Sequence, residues 1–209
     1  MPDSSTLLLF SAAAMALIVV PGPAVLYIVA QSIDRGRLAG IVSALGVAVG
    51  GLVHVTAAAI GLSSLLVSSA TAFNVVKYAG AAYLVGLGLW TLARRRDESV
   101  AEIPKERKLS RRFWQGVVVN VLNPKTALFF FAFLPQFVDP DKGSAALQIG
   151  ALGLVFVALA VASDSVWALA AGTASERLRG NQRFLAVQRY VSGSVFVGLG
   201  ALTAVAKRH

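Results

Sequence analysis

Val19-Val20-Pro21-Gly22-Pro23-Ala24-Val25 sets two prolines and a glycine inside an apolar run that extends from Leu7 to Ala30. Each proline removes a backbone donor and crowds the preceding turn, at a cost of about 3 kcal/mol in a helix interior. Two of them with a glycine between break a helix into halves. In hydrocarbon, backbone without helical partners is tolerated only where protein buries it or where it lines a cavity. If this run crosses a membrane, its centre faces a site.

Composition supports a crossing. The 209-residue chain is 56% hydrophobic and 14% charged, with a mean hydropathy of +0.72, which leaves too little polar surface to cover a soluble globule. Six apolar runs, roughly 6–31, 40–67, 73–93, 113–138, 146–174 and 184–206, each match a crossing of about 20 residues. They fill most of the chain and leave no room for a soluble domain. The absence of cysteine excludes disulfides, thiolate metal sites and a cysteine nucleophile. No Lys or Arg precedes Arg35, so the basic stretch that opens a cleavable signal peptide is missing and the first span is expected to be kept.

A net charge of +9 raises the question of nucleic acid, and the positions of the charges answer it. Arg94, Arg95, Arg96, Lys105, Arg107, Lys108, Arg111 and Arg112 share one loop with Asp97, Glu98, Glu102 and Glu106, the pattern of a cytoplasmic loop rather than a nucleic-acid patch. With six alternating spans, that face also receives Arg35, Arg37, Arg177, Arg179, Arg183 and Arg189. The opposite face receives only Lys77, Lys142, Lys207 and Arg208. The imbalance puts the long loop in the cytoplasm and both termini outside. Lys125 is left over, within a span.

The halves of the chain match each other. An offset of 112 sets Lys77 on Arg189, Tyr78 on Tyr190, Val85-Gly86-Leu87-Gly88 on Val197-Gly198-Leu199-Gly200, and Thr91 on Thr203. An offset of 101 sets Pro23 on Pro124 in a second interruption, Asn120-Val121-Leu122-Asn123-Pro124-Lys125. Two copies of a three-helix unit follow. Three is odd, so the copies enter the membrane in opposite directions. The expected fold is an all-α membrane protein of six transmembrane helices in two inverted three-helix repeats, with helices 1 and 4 broken. Residues 1–93 form the first repeat, 94–112 the basic cytoplasmic loop and 113–209 the second repeat. Secondary transporters of this construction bind substrate near the midplane, between discontinuous helices in corresponding positions.

The breaks suit an amino acid. A restarting helix points backbone N–H groups at a carboxylate, and a half that ends offers carbonyls to an ammonium group or a cation. Pro21, Gly22 and Pro23 of the first break and Asn123, Pro124 and Lys125 of the second are the candidate substrate-binding residues. Lys125 lies about 18 Å from the cytoplasmic start of its span and Asp164 about 15 Å from the cytoplasmic end of the next, so they can meet. Burying either charge alone costs at least about 2.5 kcal/mol. Asp164 is expected to alternate between a proton and the substrate amine, with Lys125 meeting the carboxylate or balancing Asp164. His54, fairly deep in span two, is the second candidate for proton coupling. Its bland reading is a hydrogen-bonded packing residue. Gln31, Asn120 and Gln136 read as interhelical hydrogen-bonding groups. Gly46 and Gly50 are spaced for close helix packing. No metal-ligand spacing, nucleotide loop or carboxylate pair occurs, so neither a resident metal nor a cofactor is expected, and an intramembrane enzyme lacks its groups.

Pro21-Gly22-Pro23, Arg35-Gly36-Arg37-Leu38-Ala39-Gly40, the glycines at 46, 50 and 61, Phe113-Trp114-Gln115-Gly116, Asn123-Pro124-Lys125 and Pro135-Gln136-Phe137 together resemble the LysE/RhtB family of bacterial amino-acid exporters over nearly the whole chain. The family pattern carries a polar residue, commonly asparagine, where this chain has Ala24. The resemblance implies efflux of amino acids or close derivatives across the bacterial inner membrane, driven by proton antiport, by a six-helix protein able to dimerise. An inorganic-cation exporter of the same superfamily is the alternative.

Overall fold

The computed structural model describes residues 2–68 and 108–174, together with isolated helical positions between Val75 and Ala93 and between Tyr190 and Ala201. Those positions apart, the expected third and sixth spans, the basic loop up to Arg107 and the repeat match of 77–91 with 189–203 lie outside the described residues. Among the described residues every regular element is helical.

Helix α1, Ser4–Val19, starts at Asp3, whose carboxylate accepts the Thr6 backbone N–H at 2.8 Å and the Ser5 hydroxyl at 2.8 Å. The Thr6 amide, followed by these side-chain partners and Lys142, holds the carboxyl well below the usual carboxylate range. The helix ends where the prolines dictate. Val20 is extended, with φ −70° and ψ 115°, as a residue before proline must be. Pro23 then takes the first position of α2, Pro23–Arg35, where its missing N–H costs nothing. The two helices meet at a bend of 53°. Gly36 stops α2 at φ +86°, a left-handed conformation that suits glycine, and donates its N–H to the Ser32 carbonyl at 2.9 Å. Helix α3, Arg37–Ser68, follows at once.

The second interruption repeats this local logic. Helix α4 spans Leu109–Val121 and α5 spans Pro124–Leu128, with Asn123 extended before the proline at φ −79° and ψ 108°. Its side chain accepts the Lys125 N–H at 3.1 Å. Pro23 and Pro124 are both exposed, while Gly22 and Asn123 before them are both buried. Past α5 the coil widens into a π turn at Phe129–Phe133 and tightens to 3₁₀ geometry at Leu134–Phe137. The segment 124–137 meets α4 at 47°. After the short turn Pro140–Lys142, Ser144 caps α6, Ala145–Thr173, by accepting the Leu147 N–H at 3.4 Å. Gln148 ties that turn to α6 by donating to the Asp139 carbonyl at 2.7 Å. Lys142 joins it to the start of α1 through Asp3 at 3.2 Å.

The π turn puts its aromatic rings into the core. Phe129 stacks on Phe156 of α6 at 4.7 Å and on Phe133 at 5.2 Å, and meets Phe10 of α1 at 5.9 Å. Leu45, Leu52 and Ile60 of α3 and Leu147, Leu154 and Val166 of α6 remain exposed, the outward apolar face that lipid solvates. Helices α3 and α6 are each long and apolar enough to cross a membrane, and each bent pair passes the same test when its halves are taken together.

Helix α3 is the central element, packed most extensively on α6 and α4. A Cβ on Gly46 would stand 2.0 Å from the Phe113 carbonyl oxygen, and one on Gly116 would stand 2.6 Å from that of Ser43. The two backbones therefore touch across paired glycines, as the spacing of Gly46 and Gly50 predicts. Gly116→Leu is expected to separate α3 from α4 at a cost of about 3 kcal/mol or more, since backbone cannot yield as a side chain does. Loss of monodisperse protein in detergent checks it.

Candidate functional site

Prolines at 21 and 23 leave the end of α1 short of partners, because carbonyls in the last turn have no N–H ahead of them. The bend turns the Val20 carbonyl toward the second interruption, where Lys125 donates its ammonium to it. Lys125 is 6% exposed. The side chain reaches this oxygen by lying across Gly22, where a Cβ would come within 2.8 Å of Lys125 Cδ. Three of the substrate-binding candidates, Gly22, Asn123 and Lys125, therefore meet at one place. Pro21 is buried beside them, and Pro23 and Pro124 shape the backbone from exposed positions.

Asp164, midway along α6, is 5% exposed. It interacts electrostatically with Lys125. Both of the charged residues that the sequence sets within spans are therefore buried. A carboxylate and an ammonium buried together offset much of the cost that either would carry alone.

Asn120 organises the second interruption. Its Nδ2 donates to the Val47 carbonyl at 2.7 Å, fixing α4 to α3. Its Oδ1 accepts from Thr126 Oγ1 at 2.9 Å and from Asn123 Nδ2 at 3.3 Å, which binds the two sides of the break to each other. His54 reaches the same residue from α3, its Nε2 2.9 Å from the Asn120 carbonyl oxygen. A carbonyl only accepts, so Nε2 carries the proton. The imidazole lies parallel to Phe130, with ring centres 6.2 Å apart. Gln136, the remaining amide of this region, donates to the Ala132 carbonyl at 3.0 Å.

Two residues emerge that sequence reasoning set elsewhere. Asn120 was one polar group among several, although Asn120, Asn123 and Thr126 recur at three-residue spacing in an apolar stretch, the signature of a shared helical face. Arg112 was counted with the loop. It is 3% exposed, and its guanidinium donates to Gln31 Oε1 of α2, itself 1% exposed. Tyr27 donates to the Arg112 carbonyl at 2.8 Å. The second half of the first broken pair is thus clamped to the start of α4. No local signal gave it away, because the aromatic pair Phe113-Trp114 marks a boundary just after Arg112 and so leaves it with the loop.

A lysine from one break is thus seated on a carbonyl of the other, and a buried carboxylate on α6 interacts with it electrostatically. The chain is 30% identical over 189 residues to a homoserine/homoserine lactone efflux protein of Salmonella typhimurium, covering 90% of each chain. It is 31% identical over 195 residues to an uncharacterized membrane protein of Pseudomonas aeruginosa, covering 91% of this chain and 90% of the other. A membrane protein of Vibrio cholerae is 29% identical over 188 residues, with 90% of each covered. No solved structure gives a significant match. The model of the LysE type translocators matches residues 15–207, and the chain belongs to that family of membrane transporters.

Proposed function

We propose that this translocator exports amino acids or close derivatives across the bacterial inner membrane in exchange for protons. The observation that carries the reading is the Lys125 ammonium on the Val20 carbonyl, with Asp164 close enough to feel its charge. A substrate entering between the breaks presents its carboxylate to Lys125 and its ammonium to Asp164 and the carbonyls of the first break. Asp164 releases its proton as the amine arrives and takes another after the amine leaves. His54 acts one step removed, holding the Asn120 carbonyl and with it the second break.

Each bent pair is one broken span in this reading, and the chain forms six spans in two inverted repeats, residues 1–93 and 113–209. The basic loop 94–112 is cytoplasmic and both termini are outside. The matching construction of the two breaks, an extended buried residue followed by an exposed proline at the first helical position, supports the repeat. The name of the Salmonella relative favours a small polar amino acid or its lactone over an inorganic cation.

A growth screen tests the export claim. Expression in a sensitive bacterium is expected to raise the tolerated concentration of at least one amino acid or analogue by about threefold or more, equivalent to about 0.65 kcal/mol in the concentration ratio sustained across the membrane. Unchanged tolerance across a broad panel, with the protein verified in the membrane, contradicts it.

A further inference from the structure

Three charged side chains are buried among the described residues: Arg112, Lys125 and Asp164. Arg112 is engaged by Gln31 at the start of α4. Among the described residues this leaves one buried cation at the breaks, Lys125, and one buried carboxylate that interacts with it, Asp164. We infer that Lys125 is a fixed cation that sets charge selectivity, admitting substrates whose one positive group is the α-amine and excluding those that carry a second cation on the side chain. This deepens the exporter reading and rests on it.

The cation is fixed by its surroundings. A lysine near the end of a membrane helix carries its charge outward to the interface on a flexible stem. Lys125 instead stands directly after a break, its backbone N–H held by the Asn123 side chain and its ammonium held by the Val20 carbonyl. Its stem lies against Gly22, where any side chain would intrude. The ammonium is therefore held at one spot between the two breaks, where Asp164 interacts with it electrostatically.

Charge balance then decides which substrates fit. A zwitterionic amino acid adds one positive and one negative group to a site holding one of each, and every charge faces an opposite. An additional side-chain ammonium finds Lys125 already in place and no second buried carboxylate among the described residues. Two like charges about 6 Å apart at an effective dielectric of about 20 repel enough to lower occupancy on the order of a hundredfold. Removal of the Lys125 charge would leave Asp164 to favour the extra cation instead.

Proteoliposomes loaded with radiolabelled ornithine or norvaline, which share a five-carbon skeleton and differ by the side-chain amine, give the test at neutral pH. The native protein is expected to release norvaline at least about tenfold faster than ornithine, whose side-chain amine is fully charged there. Lys125→Gln is expected to bring the two rates together or reverse them, and Lys125→Arg to keep the exclusion. Equal rates in the native protein overturn the inference alone, as does an unchanged preference in Lys125→Gln. If Lys125→Gln is inert, Lys125→Arg decides, because loss of exclusion with the charge retained also overturns it. A native protein that moves neither compound nor any other amino acid overturns the exporter reading, and the charge filter with it.

Discussion

Asp164→Asn is expected to abolish proton-driven export, lowering uphill transport about a hundredfold or more, the equivalent of roughly 2.7 kcal/mol in the rate-limiting barrier. The substitution keeps the shape of the side chain, so the packing of α6 against α1 and α3 survives. What it removes is a group that can bind and release a proton and pair with an amine. It also strips Lys125 of the buried carboxylate that interacts with it, and an ammonium left uncompensated in an apolar interior is costly. Transport by the native protein should slow as the outside pH rises, because fewer protons are supplied to drive the exchange. Any residual amino-acid counterflow in Asp164→Asn should be flat with pH. Initial rates in liposomes between pH 6 and 9, alongside thermal stability in detergent, separate loss of coupling from loss of fold.

Gly22→Ala should also slow transport markedly, and it should do so with little loss of stability. The new Cβ would stand 2.8 Å from Lys125 Cδ and 3.5 Å from its Nζ. The atom in the way belongs to a flexible side chain, so Lys125 moves and the backbone does not. The cost falls on the ammonium, which is pushed off the Val20 carbonyl. Transport is expected to drop about tenfold, or 1.4 kcal/mol, while the melting temperature shifts by only a few degrees. If the effect runs through Lys125, then Gly22→Ala adds little to a Lys125→Gln chain. A double-mutant cycle with a coupling of about 1 kcal/mol supports that route. Simple additivity would mean that Gly22 acts on the backbone alone.

The positions of the interruptions were legible because proline acts through its own backbone. Pro21, Pro23 and Pro124 dictate where helices stop whatever surrounds them, and the structure bends at both places. Helices α3 and α6 were legible for the same kind of reason, since long apolar runs without proline have few alternatives to a continuous helix in lipid. Lys125 and Asp164 stood out by the cost of their burial. That Lys125 would seat on Val20 was not readable, because it depends on a contact across 105 positions and on the direction of a bend. The place of Arg112 was misread for a related reason: a charge at the edge of a basic loop looks solvated until its partner, Gln31 on another helix, is in view. The π turn at Phe129–Phe133 left no local signal, because five apolar residues fit an α-helix as well as they fit a widened coil.

The central claim is that amino-acid export and proton entry are one process through Asp164. Liposomes containing the purified protein, a trapped pH-sensitive dye and a neutral amino acid, with the membrane potential clamped, test it when diluted into buffer without substrate. Outward flow of the amino acid should acidify the lumen, in a fixed ratio to the substrate released, and Asp164→Asn should abolish the acidification. Substrate release by the native protein with no change in internal pH would contradict the claim.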